Sequence, residues 1–406
     1  KRQTLNISME YPSLDKPKAG AFRFNTDSSQ LEIYDGNQWT GILSTSPEQQ
    51  TGGTRGLLMG GQNPGLEDII EYIQINTTGN STDFGNLTAA HARGSSVGSR
   101  TRGIRAGGQN PSSINTIEFV TFSSTGDAAD FGDLNNAVKF SAPMSDTTRG
   151  VFAGGYTPTN TDAIDYISMA SEGNAVDFGN LSFARNRSAG VESPTRGIIA
   201  GGAVPSPSPY DEGGNIIDYI TIATTGNASD FGNLTVNKGG VGCSNATRGI
   251  FGGGYKDSGG TSTQTDMNYI TLASRGDGTD FGDLTAGGHW GIIGASNSTR
   301  GLFCAGWNNN TDIAKVEIST TGNAVSFGSL DFLHSGQSFN NPTHAHITVG
   351  SNYTQTIQRI HYGSGGAAID FGECDHGNSS AAAVSYTHLR AHETLRYLGC
   401  RLRRDK

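Results

Sequence analysis

The sequence predicts an all-β protein: a ring of seven four-stranded antiparallel blades, preceded by a small N-terminal β-meander. Three observations predict it. Thr-Arg-Gly recurs at Thr54, Thr101, Thr148, Thr195, Thr247 and Thr299, with a degenerate Thr343-His344-Ala345 as the seventh copy. Asp-Phe-Gly recurs around Phe84, Phe131, Phe178, Phe231, Phe281 and Phe371, and becomes Ser326-Phe327-Gly328 in the sixth copy. The Thr-Arg-Gly copies lie 47, 47, 47, 52, 52 and 44 residues apart, and a period of about 40–50 holding only strand patterns is that of propeller blades.

The fourth copy displays the strands. Ser188–Ser193 is strand a, and Gly197–Gly202 is the apolar strand b, ending in Gly-Gly. Ile217–Ile222 alternates as strand c, and Ala228–Leu234 is strand d after the turn Thr225-Gly226-Asn227. Their β-branched and aromatic content suits strands, and no segment carries a helical i, i+3, i+4 pattern. The 59 glycines, without a three-residue period, fit many tight turns rather than collagen.

Ring closure is countable. Seven b, c and d strands lie between Arg55 and Gly372, with only six a strands among them. The seventh a strand is expected at Asn378–Ala383, pairing with strand b of the first blade and removing the free edges. A lost eighth blade is the competing arrangement. The domain reading is therefore a starting segment 1–19, a meander 20–43, a linker 44–53, the propeller 54–383 and a tail 384–406.

Composition narrows the partners. The net charge is −9 and charged residues make up 16%, with no basic stripe to displace counterions from duplex phosphates, so nucleic acid is not expected. No apolar run reaches the roughly 18–20 residues of a membrane span, and no signal peptide opens the chain. Cys243, Cys304, Cys374 and Cys400 lack metal-ligand spacing and a paired framework, so no structural disulfide is expected. The chain does not begin with Met and is expected to be a fragment or a processed product.

The repeat resembles kelch, in which an apolar strand ends in Gly-Gly, a Tyr-bearing strand follows, and an aromatic sits on the last strand. Here that aromatic is the Phe of Asp-Phe-Gly, where kelch usually has Trp. Near the N-terminus, Gly20-Ala21-Phe22-Arg23-Phe24-Asn25-Thr26, Leu31-Glu32-Ile33-Tyr34-Asp35-Gly36 and Gln38-Trp39 alternate as short strands. This run resembles a short module of bacteriophage tail-fibre and other virion proteins. At the other end, Val384–Thr394 resembles one reading frame of a transposase adapter used in sequencing libraries, and Leu395–Arg404 an index and flanking primer. An abrupt turn to Arg and His accompanies it. Val384–Lys406 is therefore expected to be non-biological, the natural C-terminus missing and the sequence drawn from assembled environmental reads, with a real basic tail as the alternative.

The repeated charges are expected to serve the fold. The Arg is lost once, at His344, and the Asp once, at Ser326, as if one missing contact explained both. The expectation is an inter-blade ring of Asp83–Arg102, Asp130–Arg149, Asp177–Arg196, Asp230–Arg248, Asp280–Arg300 and Asp370–Arg55, giving register more than net stability. The Phe is expected to wedge between blades, and the Gly to permit close approach.

Function is sought where the copies differ. The a–b and c–d turns are nearly constant; the b–c and d–a loops, on the opposite face, vary in length and content. The b–c loops carry Tyr156, Tyr210, Tyr255 and Trp307, and the d–a loops His91, Phe140, Phe183, His289, Trp290, Phe332 and His334. Flat rings among Asn, Asp, Ser and Thr suit glycan recognition, so Tyr156, Tyr210, Tyr255, Trp307, His289 and Trp290 are the candidate ligand-binding residues. The histidines read as surface polar groups, and no metal or other cofactor is expected. No P-loop, His-Glu-x-x-His or EF-hand loop occurs, and the Tyr/His ligand set of the copper enzymes on kelch propellers is not matched. The expectation is a non-enzymatic virion tail adhesin, extracellular, that binds bacterial surface polysaccharide and touches other virion proteins. Trimerisation through the N-terminal region is implied by the tail-fibre resemblance alone. The alternatives are a propeller that grips another virion protein and a glycan-cleaving enzyme. Host, ligand, oligomeric state and loop-bound Ca²⁺ stay open.

Overall fold

The computed structural model describes residues 17–25, 30–41, 55–193, 195–204, 214–236, 241–254, 264–288, 292–306, 310–331, 336–348, 355–376 and 381–385. It divides at Gln49/Gln50 into two compact units. The first holds three antiparallel strands, β1 (Phe22–Asn25), β2 (Gln30–Tyr34) and β3 (Trp39–Gly41), as the alternation predicts. Arg23 of β1 reaches both of the others, pairing with Glu32 at 2.6 Å and lying 4.4 Å from the centre of the Trp39 ring.

The second unit is the seven-bladed propeller, every blade a four-stranded antiparallel sheet in the order a-b-c-d. No helix occurs among the described residues. Blade 3 is typical, with a Ala142–Ser145, b Arg149–Tyr156, c Asn160–Ser168 and d Val176–Asn180. The innermost strands are Ser95–Gly98, Ala142–Ser145, Ala189–Glu192, Val241–Ser244, Ile293–Ser296, Gln337–Asn340 and Ala382–Ser385. They neighbour one another around the ring and line a central cavity of about 320 Å³.

The C-terminal strand closes the ring as expected. Ala382–Ser385 pairs with strand b of blade 1, in the register Ala382↔Met59 to Ser385↔Gly56. This strand runs two residues past Ala383. Val384 is buried with Leu57, Met59 and Phe122, in the strand position held elsewhere by Val97, Met144 and Val191.

Each apolar core lies between neighbouring blades. Phe178 and Leu181 of blade 3, for example, pack with Ile199, Ile220 and Ile222 of blade 4. The signature Phe does wedge there, and it also meets the strand-c aromatic of its own blade edge-on, as Phe178 does Tyr166 at 5.9 Å.

Register between blades comes from backbone. At every junction the turn glycine of one blade donates to the carbonyl of the preceding Phe: Gly126 to Phe84, Gly173 to Phe131, Gly226 to Phe178, Gly276 to Phe231, Gly322 to Phe281, Gly366 to Phe327 and Gly79 to Phe371. The Asp-Phe-Gly glycine must be glycine because that turn presses on it. A Cβ on Gly132 would lie 2.5 Å from the Gly173 carbonyl carbon, at a φ of +142°.

The expected Asp–Arg ring is corrected accordingly. None of the six pairs forms an ion pair. Asp130, Asp177, Asp230, Asp280 and Asp370 each accept, at 3.0–3.1 Å, the N–H of the glycine two residues on, which holds the bulge in strand d. Arg55, Arg102, Arg149, Arg196 and Arg248 instead stack 4.4–5.1 Å above the strand-c ring of their own blade. Most also donate to a main-chain carbonyl of the next blade: Arg55 to Phe122, Arg149 to Ile222, Arg196 to Leu272, Arg248 to Ile318 and Arg300 to Tyr362. Arg102 instead donates to the Glu172 carboxylate, at 3.1 Å. The absences at His344 and Ser326 are thus separate events: His344 meets the His361 ring at 4.8 Å, and Ser326 donates to Asp312 at 2.8 Å.

Blade 7 departs from the others inside. His346 takes the place of Leu57, Ile104 and Leu302 and is fully buried between Phe339 and Phe371. Burial, aided by His344 and Arg359, holds its pKa down to about 3. The unfolded chain therefore binds the proton first, and stability is full above pH 6.5 and erodes as pH falls towards 3. Urea unfolding at pH 5 should show a loss of about 2 kcal/mol attributable to this ring relative to pH 7.5. His346→Leu should shed that part of the pH slope; an unchanged slope would refute the assignment.

Candidate functional loop face

The d–a loops are built on buried polar residues of strand c that sequence reasoning did not single out. Each blade but the sixth places one at the same point: Glu71, Glu118, Asp165, Asp218, Asn268 and Gln358, all buried. Each accepts the first loop N–H of the preceding blade. Thr88 donates to Glu118 at 2.7 Å, Asn135 to Asp165 at 3.0 Å, Ser182 to Asp218 at 3.0 Å and Thr235 to Asn268 at 2.9 Å. Asp331 donates to Gln358 at 3.0 Å, and His376 to Glu71 at 2.9 Å. The signal was present in the sequence, as a polar residue recurring inside Ile-x-Tyr-Ile, but a strand alternation read as one-sided hides it.

Two of these acids have buried basic partners. Asp218 pairs with Arg185 at 2.8 Å, both fully buried, while Arg185 also donates to the Ile216 and Ile199 carbonyls. Glu118 pairs with His91 at 3.0 Å. Arg105, which stands opposite Glu118 in the neighbouring strand, donates to the carbonyls of Met59 and His91. Burial draws the Arg105 pKa down to about 10, with Glu118 opposing, so the guanidinium stays charged at neutral pH. Burial pushes the Glu118 carboxyl up, but His91 and Thr88 together outweigh it and leave it below the usual range. His91, expected at the surface, is therefore a core residue: it is 1% exposed, because its carboxylate partner lies inside.

The strand-b Gly-Gly is the socket for the same loops. Its second glycine donates to the fourth loop residue: Gly61 to the His91 carbonyl, Gly108 to Val138 and Gly155 to Arg185, at 2.8–3.1 Å. Two residues further on, Arg93, Phe140 and Arg187 adopt left-handed φ values of 63°, 60° and 54°. Non-glycine residues rarely hold this conformation, which costs on the order of 1–3 kcal/mol each. Here backbone bonds impose it, since Phe140 N–H reaches the Arg93 carbonyl and Arg187 N–H the Phe140 carbonyl.

These loops converge on one cluster. The Arg187 guanidinium lies 4.2 Å from the Phe140 ring centre, Arg93 5.6 Å and Lys139 Nζ 5.9 Å. Lys139 also sits 5.4 Å from the Tyr156 ring. Gln109 Oε1 accepts from Arg93 at 2.7 Å and from Lys139 at 2.9 Å. Partial burial, then the nearby Arg93 and Arg187 charges, lowers the Lys139 pKa.

Of the candidate binding residues, Tyr156 belongs to this cluster and is 38% exposed. Tyr210, Tyr255, Trp307, His289 and Trp290 lie outside the described residues, as do Phe332 and His334. Phe183, 40% exposed, stands on the same loop as Arg185 and Arg187. Sequence reasoning missed Arg93, Lys139 and Arg187. Their signal is the period itself, because Arg93, Phe140 and Arg187 are 47 residues apart and so occupy one repeat position.

No protein-family model matches the chain, and no curated protein matches its sequence.

Proposed function

We propose that the protein is a bacteriophage tail or tail-fibre adhesin, a kelch-like propeller that holds host-surface glycan on the face of its b–c and d–a loops. The observation carrying this reading is the exposed Tyr156 ring beside Phe140, Gln109 and three cationic side chains, on the face where the repeats differ. Aromatic faces stack on the apolar side of a sugar, and amides and cations bond its hydroxyls. The opposite face offers no comparable variety, because its turns are committed to backbone bonds between blades. The tail-fibre-like strands at Phe22–Gly41 support placement in a virion, where other virion proteins and a homotrimer are the natural partners.

The test is binding of the full chain to an array of bacterial surface polysaccharides. Saturable binding is expected, weakened about tenfold by Tyr156→Ala, the loss of a central aromatic anchor. Binding unaffected by this change would remove the cluster from the site. No binding by folded protein would favour a propeller that grips another virion protein.

A further inference from the structure

The seven inner strands turn one backbone edge away from strand b and towards the central cavity. The second residues of these strands are Ser96, Pro143, Gly190, Gly242, Gly294, Ser338 and Ala383. Where this residue is serine, its hydroxyl donates to the second carbonyl of the preceding blade: Ser96 to Ala383 and Ser338 to Gly294, both at 2.8 Å. Between these two bonds runs an arc with no hydroxyl to give. The Pro143, Gly190 and Gly242 carbonyl oxygens lie against Gly190, Gly242 and Gly294, at 3.1, 3.4 and 2.8 Å from where a Cβ would stand. The counterpart of the Ser96 carbonyl on the next blade is Pro143.

Blade 3 is also short of N–H donors on this edge. Pro143 has none, and Ser145 gives its N–H to the Glu192 carboxylate at 2.6 Å. Glu192 is thereby engaged with the wall, and main-chain oxygen is what this side of the cavity offers. Carbonyl dipoles gathered without matching donors favour a positive ion, and hard cations take carbonyl oxygen as a ligand. The net charge of −9 favours the same sign.

We propose that the central cavity binds a hard metal cation through the main-chain carbonyls of Pro143 and Gly190, flanked by those of Ser96 and Gly242, with water completing the shell. This does not rest on the glycan reading. Alkali and alkaline-earth ions share the required chemistry.

The test is calorimetric melting of the full chain in NaCl, KCl, CaCl₂ or choline chloride at equal ionic strength. At least one metal salt should raise the melting point by about 3 °C or more over choline, saturating in the low-millimolar range for calcium. Saturation separates binding from a general salt effect. A response to CaCl₂ alone identifies a divalent ion, and a response to NaCl or KCl an alkali ion. Gly190→Ser should remove at least half of the rise, because its hydroxyl can donate to the Pro143 carbonyl as Ser338 does to Gly294. Pro143→Ser, which restores an N–H and offers a hydroxyl to the Ser96 carbonyl, should do the same. Ser338→Ala, on the far side of the ring, should leave the rise intact. Equal melting points of the unaltered chain in all four salts would overturn the proposal, as would a rise that Gly190→Ser and Pro143→Ser both keep in full.

Discussion

Replacing Arg185 with valine is expected to lower stability by about 3–5 kcal/mol, the usual cost of stranding one member of a buried ion pair. Asp218 is fully buried, and with Arg185 removed it keeps only the Ser182 N–H and hydroxyl as donors. Valine itself fits a d–a loop, since Val138 holds this position one blade earlier. There the strand-c acid, Asp165, is covered differently, by both the backbone N–H and the side-chain amide of Asn135. The loss should therefore come from the uncompensated charge. Asn268 performs the Asp218 task as a neutral amide at the next junction, accepting from Thr235 N–H and hydroxyl. The double change Arg185→Val with Asp218→Asn should accordingly recover most of the loss in urea unfolding. If the double variant is as unstable as the single, the deficit lies in lost packing and carbonyl bonds of Arg185, and the ion-pair account is wrong.

A chain ending at Ala381 should unfold at least about 10 °C below one ending at Ser385, the effect of losing several kcal/mol from a large domain. The four residues removed are strand a of blade 1. Their loss strips the inner edge of Arg55–Asn63 and uncovers Leu57, Met59 and Phe122, which Val384 helps to bury. Val384→Asp in the full chain should reproduce much of the effect, because the carboxylate would enter that core. Calorimetry compares the melting points. Equal values for the two truncations would mean that the ring does not depend on this closure.

Much of the architecture was legible because the chain writes it seven times. One copy shows only short apolar runs, whereas the copies in register separate four strands per blade and leave one inner strand to be supplied from the C-terminus. What failed was pairwise charge matching. Asp and Arg vary once each, and a shared contact was inferred, but Asp130 and its equivalents act within their own strand and Arg149 and its equivalents on a ring and a carbonyl. Two residue types can recur at the same period for unrelated local reasons. His91 was misread for a related cause: its partner Glu118 is 27 positions away, on the next blade, and no local pattern announces it. The cationic loop cluster stayed hidden because left-handed arginine and phenylalanine leave no glycine to mark them. The wider set of aromatic candidates falls on long b–c and d–a loops outside the described residues, so Tyr156 alone ties that expectation to the cluster.

The most direct test of the binding face is amide hydrogen exchange of the full chain with and without a polysaccharide identified on the array. Protection at Ala92–Ser95, Lys139–Ala142, Tyr156 and Asn186–Ala189 is expected, with the Thr-Arg-Gly and Thr-Gly-Asn turns unchanged. Protection confined to those turns, or to the N-terminal strands Phe22–Gly41, would place recognition elsewhere and contradict the account.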